Sequence, residues 1–119
     1  MMSLRNWTKR AFVAGVTAAI LAGSAVAQQV AISGVFVAQG RSPDGSAYSG
    51  QAAVAEQDGA VKINWTVGSQ TYAGTGIRDG QVVVVNWGQA DPVIYVIMAN
   101  GDMHGTWAAG RGLERLIKQ

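Results

Sequence analysis

Apolar and polar residues alternate along much of this chain, and the alternation is strictest over residues 61–67. There the odd positions are apolar and the even positions are polar. The apolar set consists of Val61, Ile63, Trp65 and Val67. Because successive side chains of a β-strand point to opposite faces, a two-residue period is typical of a strand with one buried face. We therefore predict a strand here, with Trp65 directed into the core.

Turn signals separate the apolar runs. A tyrosine, an Asp-Gly or Asn-Gly pair and a tryptophan follow one another three times: Tyr48, Asp58-Gly59, Trp65; Tyr72, Asp79-Gly80, Trp87; Tyr95, Asn100-Gly101, Trp107. These pairs readily adopt the positive φ that a two-residue hairpin turn requires. Each repeat predicts a β-hairpin with the dipeptide as its turn.

The runs and turns together predict eight strands, at residues 30–38, 47–56, 60–67, 70–77, 81–87, 93–99, 103–108 and 112–117. The last segment is ambiguous, because its apolar residues fit a helix face as well as a strand face containing Leu113, Arg115 and Ile117. We favour a strand, since a closed meander needs a partner for its first strand. The expected fold is all-β, a small eight-stranded antiparallel meander closed or nearly closed into a barrel, with residues 28–119 as one domain.

The large aromatic residues are predicted to fill the interior of this barrel. The same alternation places Trp87 on one face with Val83 and Val85, and Trp107 on one face with Met103 and Gly105. An eight-stranded barrel holds side chains or one small ligand. We expect a largely filled lumen with a shallow site at its open end, and the candidate ligand contacts are Tyr48, Tyr72, Tyr95, Trp65, Trp87 and Trp107.

The first 27 residues have the organisation of an export signal. Arg5, Lys9 and Arg10 precede an apolar stretch at residues 11–22, and Ala25-Val26-Ala27 matches the small-x-small motif that signal peptidase cleaves after. The stretch is shorter than the about 20 residues that a membrane-spanning helix needs. We predict that residues 1–27 are a signal peptide, and that the exported protein is periplasmic or secreted with no remaining membrane span.

Removal of that segment would leave six Lys and Arg residues against seven Asp and Glu residues, a net charge of −1. Arg78, Arg111 and Arg115 are not clustered, and we expect them on a solvated face. Nucleic acid is therefore not an expected partner, because its binding depends on clustered basic residues. The chain has no cysteine, so disulfides cannot supplement the core of this small exported domain.

No pattern in the sequence indicates catalysis, a metal or a cofactor. His104 is the only histidine, and the alternation places it on the face opposite Trp107. A catalytic group or a metal site would need convergent partners that the chain does not offer at suitable spacing. The aspartates beside glycine, proline or other turn residues are expected to shape turns; they are Asp44, Asp58, Asp79, Asp91 and Asp102. We predict a protein that is not an enzyme and has no cofactor.

Several motifs resemble those of a protein family. They are Asp44-Gly45-Ser46-x-Tyr48-x-Gly50, Trp65-Thr66-x-Gly68-x-x-x-Tyr72-x-Gly74-x-Gly76-Ile77, Gly105-x-Trp107 and Gly112-x-Glu114. From about Ser33 to Glu114 the chain resembles a group of short exported proteins of Gram-negative bacteria often labelled fibronectin-binding protein. That resemblance implies an extracellular protein partner and assigns no functional residues. Gly105-Thr106-Trp107 is also similar to a motif of avidin-like and lipocalin-like barrels, which implies a small-ligand carrier.

The sequence thus favours an exported non-catalytic binding protein, for example an adhesin-like one, whose partner is a protein or a small molecule outside the cytoplasm. Two alternatives stay open. One is a periplasmic enzyme inhibitor that acts through the hairpin loop Gln39 to Ala47, and the other is a small-ligand carrier of lipocalin or avidin type. A pocket of about 300 Å³ or more lined by tyrosine and tryptophan would favour the carrier.

Overall fold

Eight antiparallel strands form a closed barrel in the computed structural model, which describes residues 29–119. They are β1 (Gly34–Arg41), β2 (Ala47–Gln57), β3 (Ala60–Val67), β4 (Gln70–Asp79), β5 (Val82–Asn86), β6 (Val93–Ile97), β7 (Met103–Trp107) and β8 (Gly112–Lys118). Each strand pairs with the next, and β1 pairs with β8 from Phe36↔Lys118 to Arg41↔Leu113. The predicted fold class is confirmed. The predicted signal peptide, residues 1–27, lies outside the described residues.

The last segment is a strand, as favoured from the sequence, but its other face points inward. Leu116 is paired with the buried Met103, and directly paired residues share a face of the sheet. Gly112, Glu114 and Leu116 therefore face the lumen, whereas Leu113 is 53% exposed. Pairing with β1 and β7 fixes the orientation of this strand, so Leu113 points outward although its side chain is apolar.

Two of the three predicted turns differ from the expectation. Asp58-Gly59 forms the predicted two-residue turn, with φ of 52° and 84°. The next turn is shifted by one residue to 80–81, because Gly80 alone has positive φ (62°) and Asp79 pairs with Val82. A two-residue turn with glycine first is the other favoured hairpin type. Asn100-Gly101 lies in a longer connection, residues 98–102, rather than in a two-residue turn.

The first strand begins at Gly34 and not at residue 30 as predicted. Residues 30–33, here called the plug, pass across the end of the barrel that carries the β2–β3, β4–β5 and β6–β7 connections. Ile32 is fully buried in the core, and the Lys118 Nζ donates to the Ala31 carbonyl oxygen at 2.8 Å. Gly34, with φ of 145°, provides the left-handed backbone by which the chain turns into β1. The plug closes this end, here called the closed end.

A buried arginine holds the plug in place, which corrects the expectation that Arg78 is solvated. The Arg78 side chain is 4% exposed and pairs with Glu56, with 2.8 Å between Nη1 and Oε1. Its Nη1 also donates to the Val30 carbonyl oxygen at 2.7 Å, and its Nε donates to the Gly80 carbonyl oxygen at 2.9 Å. One side chain thus joins β4, β2 and the plug. Arg111 and Arg115 are exposed, as expected.

The interior between the two ends is packed with apolar side chains. The largest that are fully buried are Tyr95, Phe36, Ile32, Ile63, Met103 and Leu116. Trp65 is buried, and Trp87 and Trp107 are half-buried and pack on this core towards the opposite end. All three tryptophans face inward, as predicted. Residues 29–119 contain no helix that could cross a membrane.

Candidate functional site

A cavity of about 230 Å³ lies at the end opposite the plug, here called the open end. Five aromatic side chains and one carboxylate dominate its lining: Tyr48, Trp65, Tyr72, Trp87, Trp107 and Glu114. We call this cavity the aromatic cup. The rings come from β2, β3, β4, β7 and the residue that follows β5. Strands from successive hairpins thus place their rings around the same opening.

Four of the five rings of the cup meet edge to face in a continuous series. Tyr48 and Trp107 have ring centroids 6.2 Å apart, Trp107 and Trp87 5.8 Å apart, and Trp87 and Tyr72 6.1 Å apart. Their interplanar angles are 67° to 89°. The edge of an aromatic ring is positive and its face negative, so this arrangement is favourable for each pair. The series fixes the shape of the rim.

Glycines on neighbouring strands leave the space in which these rings lie. A Cβ added at Gly112 would collide with the Trp107 indole, and one added at Gly40 would collide with the Tyr48 ring. Both pairs are direct cross-strand partners. A missing side chain opposite a large ring is one way in which a small barrel accommodates its interior. The alternation of glycine and aromatic residues in the sequence therefore positions the cup.

Glu114 forms the floor of the cup and is 8% exposed. Its Oε1 accepts a hydrogen bond from the Tyr48 hydroxyl at 3.0 Å. Its Oε2 accepts from the Trp65 Nε1 at 3.1 Å and from the Tyr95 hydroxyl. Trp107 extends the network, because its Nε1 donates to the Tyr48 hydroxyl oxygen at 3.1 Å. The carboxylate is thus oriented by donors from three strands.

Burial controls the ionisation of this network. Desolvation raises the pKa of Glu114 above its ordinary value, and the hydrogen bonds from Tyr95, Tyr48 and Trp65 oppose that effect without cancelling it. Desolvation, followed by the charge of Glu114, raises the pKa of Tyr95 and of Tyr48. Both tyrosines therefore stay protonated and act as donors at neutral pH.

The carboxylate of Glu114 has no cationic partner in the part of the chain that the structure describes. The single ion pair within residues 29–119 joins Arg78 and Glu56 at the closed end. Buried charges in proteins are usually paired, because desolvation of an isolated charge is costly. Glu114 is thus a buried acid held by neutral donors and facing an open cavity.

Five of the six ligand contacts proposed from the sequence line the cup. The sixth, Tyr95, is fully buried beneath it and supports Glu114 from below. Sequence reasoning missed Glu114 as a site residue. Glu114 lies between Gly112 and Leu116 on the inward face of β8. The strand face considered from the sequence was the opposite one, which contains Leu113, Arg115 and Ile117, and Glu114 was therefore not proposed.

The other polar residues considered from the sequence lie away from the cup. His104 is exposed on the outer wall, where its register neighbours are Val96 and Arg115. Asp44 shapes a turn, as predicted, since its Oδ1 accepts from the Ser46 amide at 2.9 Å. Across residues 29–119 there is no group of three or more His, Cys, Asp or Glu residues that could hold a metal ion.

No protein-family model, no curated protein and no solved structure matches this chain. The cup and its chemistry are therefore interpreted from their own geometry.

Proposed function

We propose that this protein is an exported binding protein that takes a small organic molecule into the aromatic cup. The observation that supports this most is the open cavity of about 230 Å³ at the barrel mouth, with five aromatic rings and the Glu114 carboxylate in its lining. Ligand sites combine apolar and aromatic walls with a few oriented polar groups, and barrel mouths are among their usual positions. The proposal corresponds to the carrier alternative.

The volume of the cup limits the size of its ligand. The cup, at about 230 Å³, does not reach the about 300 Å³ expected from the sequence for a carrier, the volume at which sites for drug-sized molecules start. The ligand is therefore a compact group, comparable to one substituted ring or one branched alkyl group. The pattern of residues 1–27 supports export, and we therefore propose a ligand that is met outside the cytoplasm.

The hypotheses of an adhesin-like protein partner and of an inhibitory loop stay predictions. The loop predicted over Gln39 to Ala47 is shorter, because β1 continues to Arg41 and leaves only residues 42–46 between the strands. This connection is held by hydrogen bonds of its own, between the Ser42 amide and the Ser46 carbonyl oxygen (2.9 Å) and between the Arg41 Nη1 and the Gly45 carbonyl oxygen (2.9 Å).

Binding in the cup is tested by titrating the ¹⁵N-labelled protein with three probes: phenol, benzoate and benzyltrimethylammonium. We expect at least one probe to shift the indole N–H signals of Trp87 and Trp107. Val67→Phe should weaken that binding at least about tenfold, because Val67 lines the cup and a phenyl group there would occupy it.

The matched control is Val84→Phe, the same substitution at an exposed position on the outer wall. It should leave the affinity unchanged. Absence of indole shifts with all three probes, or equal shifts in the Val67→Phe protein, would contradict the proposed function.

A further inference from the structure

We infer that the aromatic cup selects a small organic cation, such as a methylated ammonium group, with Glu114 as its counter-ion and the surrounding rings as its walls. This inference rests on the proposed function, since it specifies the class of ligand for the same site. Four observations support it: an unpaired buried carboxylate, one open acceptor position, indole donors that are all engaged, and a continuous series of aromatic rings.

The first observation is the charge of Glu114. The carboxylate is 8% exposed and has no cationic partner within residues 29–119. A negative charge buried in this way is stabilised by a positive group brought close to it. A cation in the cup would supply the missing charge, whereas an anion there would be repelled by Glu114 at short range.

The second observation is the hydrogen-bonding capacity of the carboxylate. Two carboxylate oxygens together accept about four hydrogen bonds. The Oε2 of Glu114 accepts from Trp65 and Tyr95, while Oε1 accepts from Tyr48 alone. One acceptor position therefore remains on the Oε1 side of a residue that lines the cavity. It can receive an N–H donor or lie against a methylated ammonium group.

The third observation concerns the donors of the cup. The three indole N–H groups all donate within the protein: Trp65 to Glu114, Trp107 to the Tyr48 hydroxyl (3.1 Å) and Trp87 to the Asp91 carbonyl oxygen (3.0 Å). An anionic or carbonyl-bearing ligand would need such donors. The inner part of the cup thus offers negative charge and ring surface.

The fourth observation is the ring series Tyr48, Trp107, Trp87 and Tyr72, whose neighbouring members meet at 67° to 89°. Cations are attracted to the negative faces of aromatic rings, and cages built from several such rings recognise quaternary ammonium groups. Apolar walls also suit the methyl groups of such a cation, which are weakly hydrated compared with a primary ammonium group.

The proposed interaction depends on pH through Glu114 alone. The titratable groups that donate to its carboxylate are Tyr48 of β2 and Tyr95 of β6. Arg41 of β1 and Arg115 of β8 line an outer groove that Glu114 also borders, and neither forms an ion pair with it. Burial raises the pKa of both tyrosines, so they stay neutral on acidification. Cation affinity should fall as the pH drops through the raised pKa of Glu114, while affinity for an uncharged ligand should not.

The test compares three probes of nearly the same shape by calorimetry and by indole N–H shifts. Choline is the cation. Neohexyl alcohol has carbon in place of the choline nitrogen and is uncharged. The third probe, tert-butylacetate, is the carboxylate 3,3-dimethylbutanoate and has a negative charge. We expect choline to bind at least about tenfold more tightly than the alcohol, a difference of about 1.4 kcal/mol, and tert-butylacetate to bind most weakly. The Glu114→Gln protein should lose most of this preference, because only the ring walls then favour the cation.

Glu114→Gln is suited to this test because it keeps the shape of the floor. A glutamine oxygen can accept from Trp65 and Tyr95 as Oε2 does, and the Tyr48 hydroxyl can donate instead to the Leu113 carbonyl oxygen, 3.3 Å away. A second pair of variants tests the ring walls at the exposed Tyr72. Tyr72→Phe should keep the preference for choline over the alcohol, and Tyr72→Leu should reduce it.

The outcomes separate the two proposals. Equal affinity of choline and the alcohol for the unaltered protein, or a preference for choline that is undiminished in Glu114→Gln, would overturn the cation inference. Binding of phenol, benzoate or tert-butylacetate without binding of choline or benzyltrimethylammonium would overturn the inference and support the proposed function. Absence of binding by every probe would contradict both.

Discussion

Trp65→Ala is expected to lower the free energy of unfolding by about 3–5 kcal/mol, the usual cost of removing a buried tryptophan. The side chain is 5% exposed and belongs to the hydrophobic core beneath the cup. The substitution also deprives Glu114 and the Tyr95 hydroxyl of an indole donor. Against a total stability of about 5–15 kcal/mol, this loss is a large fraction.

Chemical denaturation followed by far-ultraviolet circular dichroism measures the effect. The matched control is Trp87→Ala, because Trp87 also lines the cup but is only half-buried at its rim. Trp87→Ala should cost less than Trp65→Ala. The opposite order would mean that Trp65 is not in the closed core.

Arg78→Met is expected to destabilise the barrel by about 3–5 kcal/mol, the range for breaking a buried ion pair by removing one partner. Methionine preserves much of the aliphatic volume but leaves Glu56, whose side chain is 16% exposed, without its counter-charge. It also removes the donors to the Val30 and Gly80 carbonyl oxygens. Both the closed end and the attachment of the plug should weaken.

Urea denaturation of Arg78→Met, Glu56→Gln and the double variant provides the measurement. Since Glu56→Gln removes the charge that Arg78→Met leaves unpaired, the double variant should be less destabilised than the sum of the single ones. Arg115→Met is the control, because Arg115 is exposed and donates only to the Gln39 side chain at 2.8 Å. A loss in Arg78→Met no greater than in Arg115→Met would contradict the role of this residue.

The strands that follow a strict two-residue period could be predicted from the sequence almost to the residue. The third strand was predicted at residues 60–67 and is Ala60–Val67, because local alternation and the flanking glycine turns agree there. The first strand was misplaced at its beginning. Val30 and Ile32 have the spacing of a strand, and only the barrel as a whole provides the closed end on which they pack instead.

The aromatic part of the cup could also be predicted, since rings on inward positions of successive hairpins must converge. Its acidic floor could not. The apolar spacing of Leu113 and Ile117 favoured the wrong face of the last strand, and the correct face follows from its register with Met103 of β7. The Arg78–Glu56 pair was missed for a related reason: its residues lie 22 positions apart on strands that are not neighbours.

The raised pKa of Glu114 makes the stability of the folded state depend on pH. Because its pKa is raised on folding, the folded state binds more protons than the unfolded state between the ordinary and the raised value. This group's contribution to stability therefore falls as the pH rises through that interval. Functional residues often lower the stability of the folded state, and the buried carboxylate of Glu114 has this effect when it is ionised.

The most direct test of this account is the titration of the Glu114 carboxyl carbon by ¹³C NMR. A carboxyl group buried in the aromatic cup and without a cationic partner should titrate above its ordinary value of 4.5. Saturation with choline should then move its midpoint downwards, because the bound cation favours the ionised form. A midpoint at or below 4.5 in the free protein would contradict the burial of Glu114 at the floor of the cup.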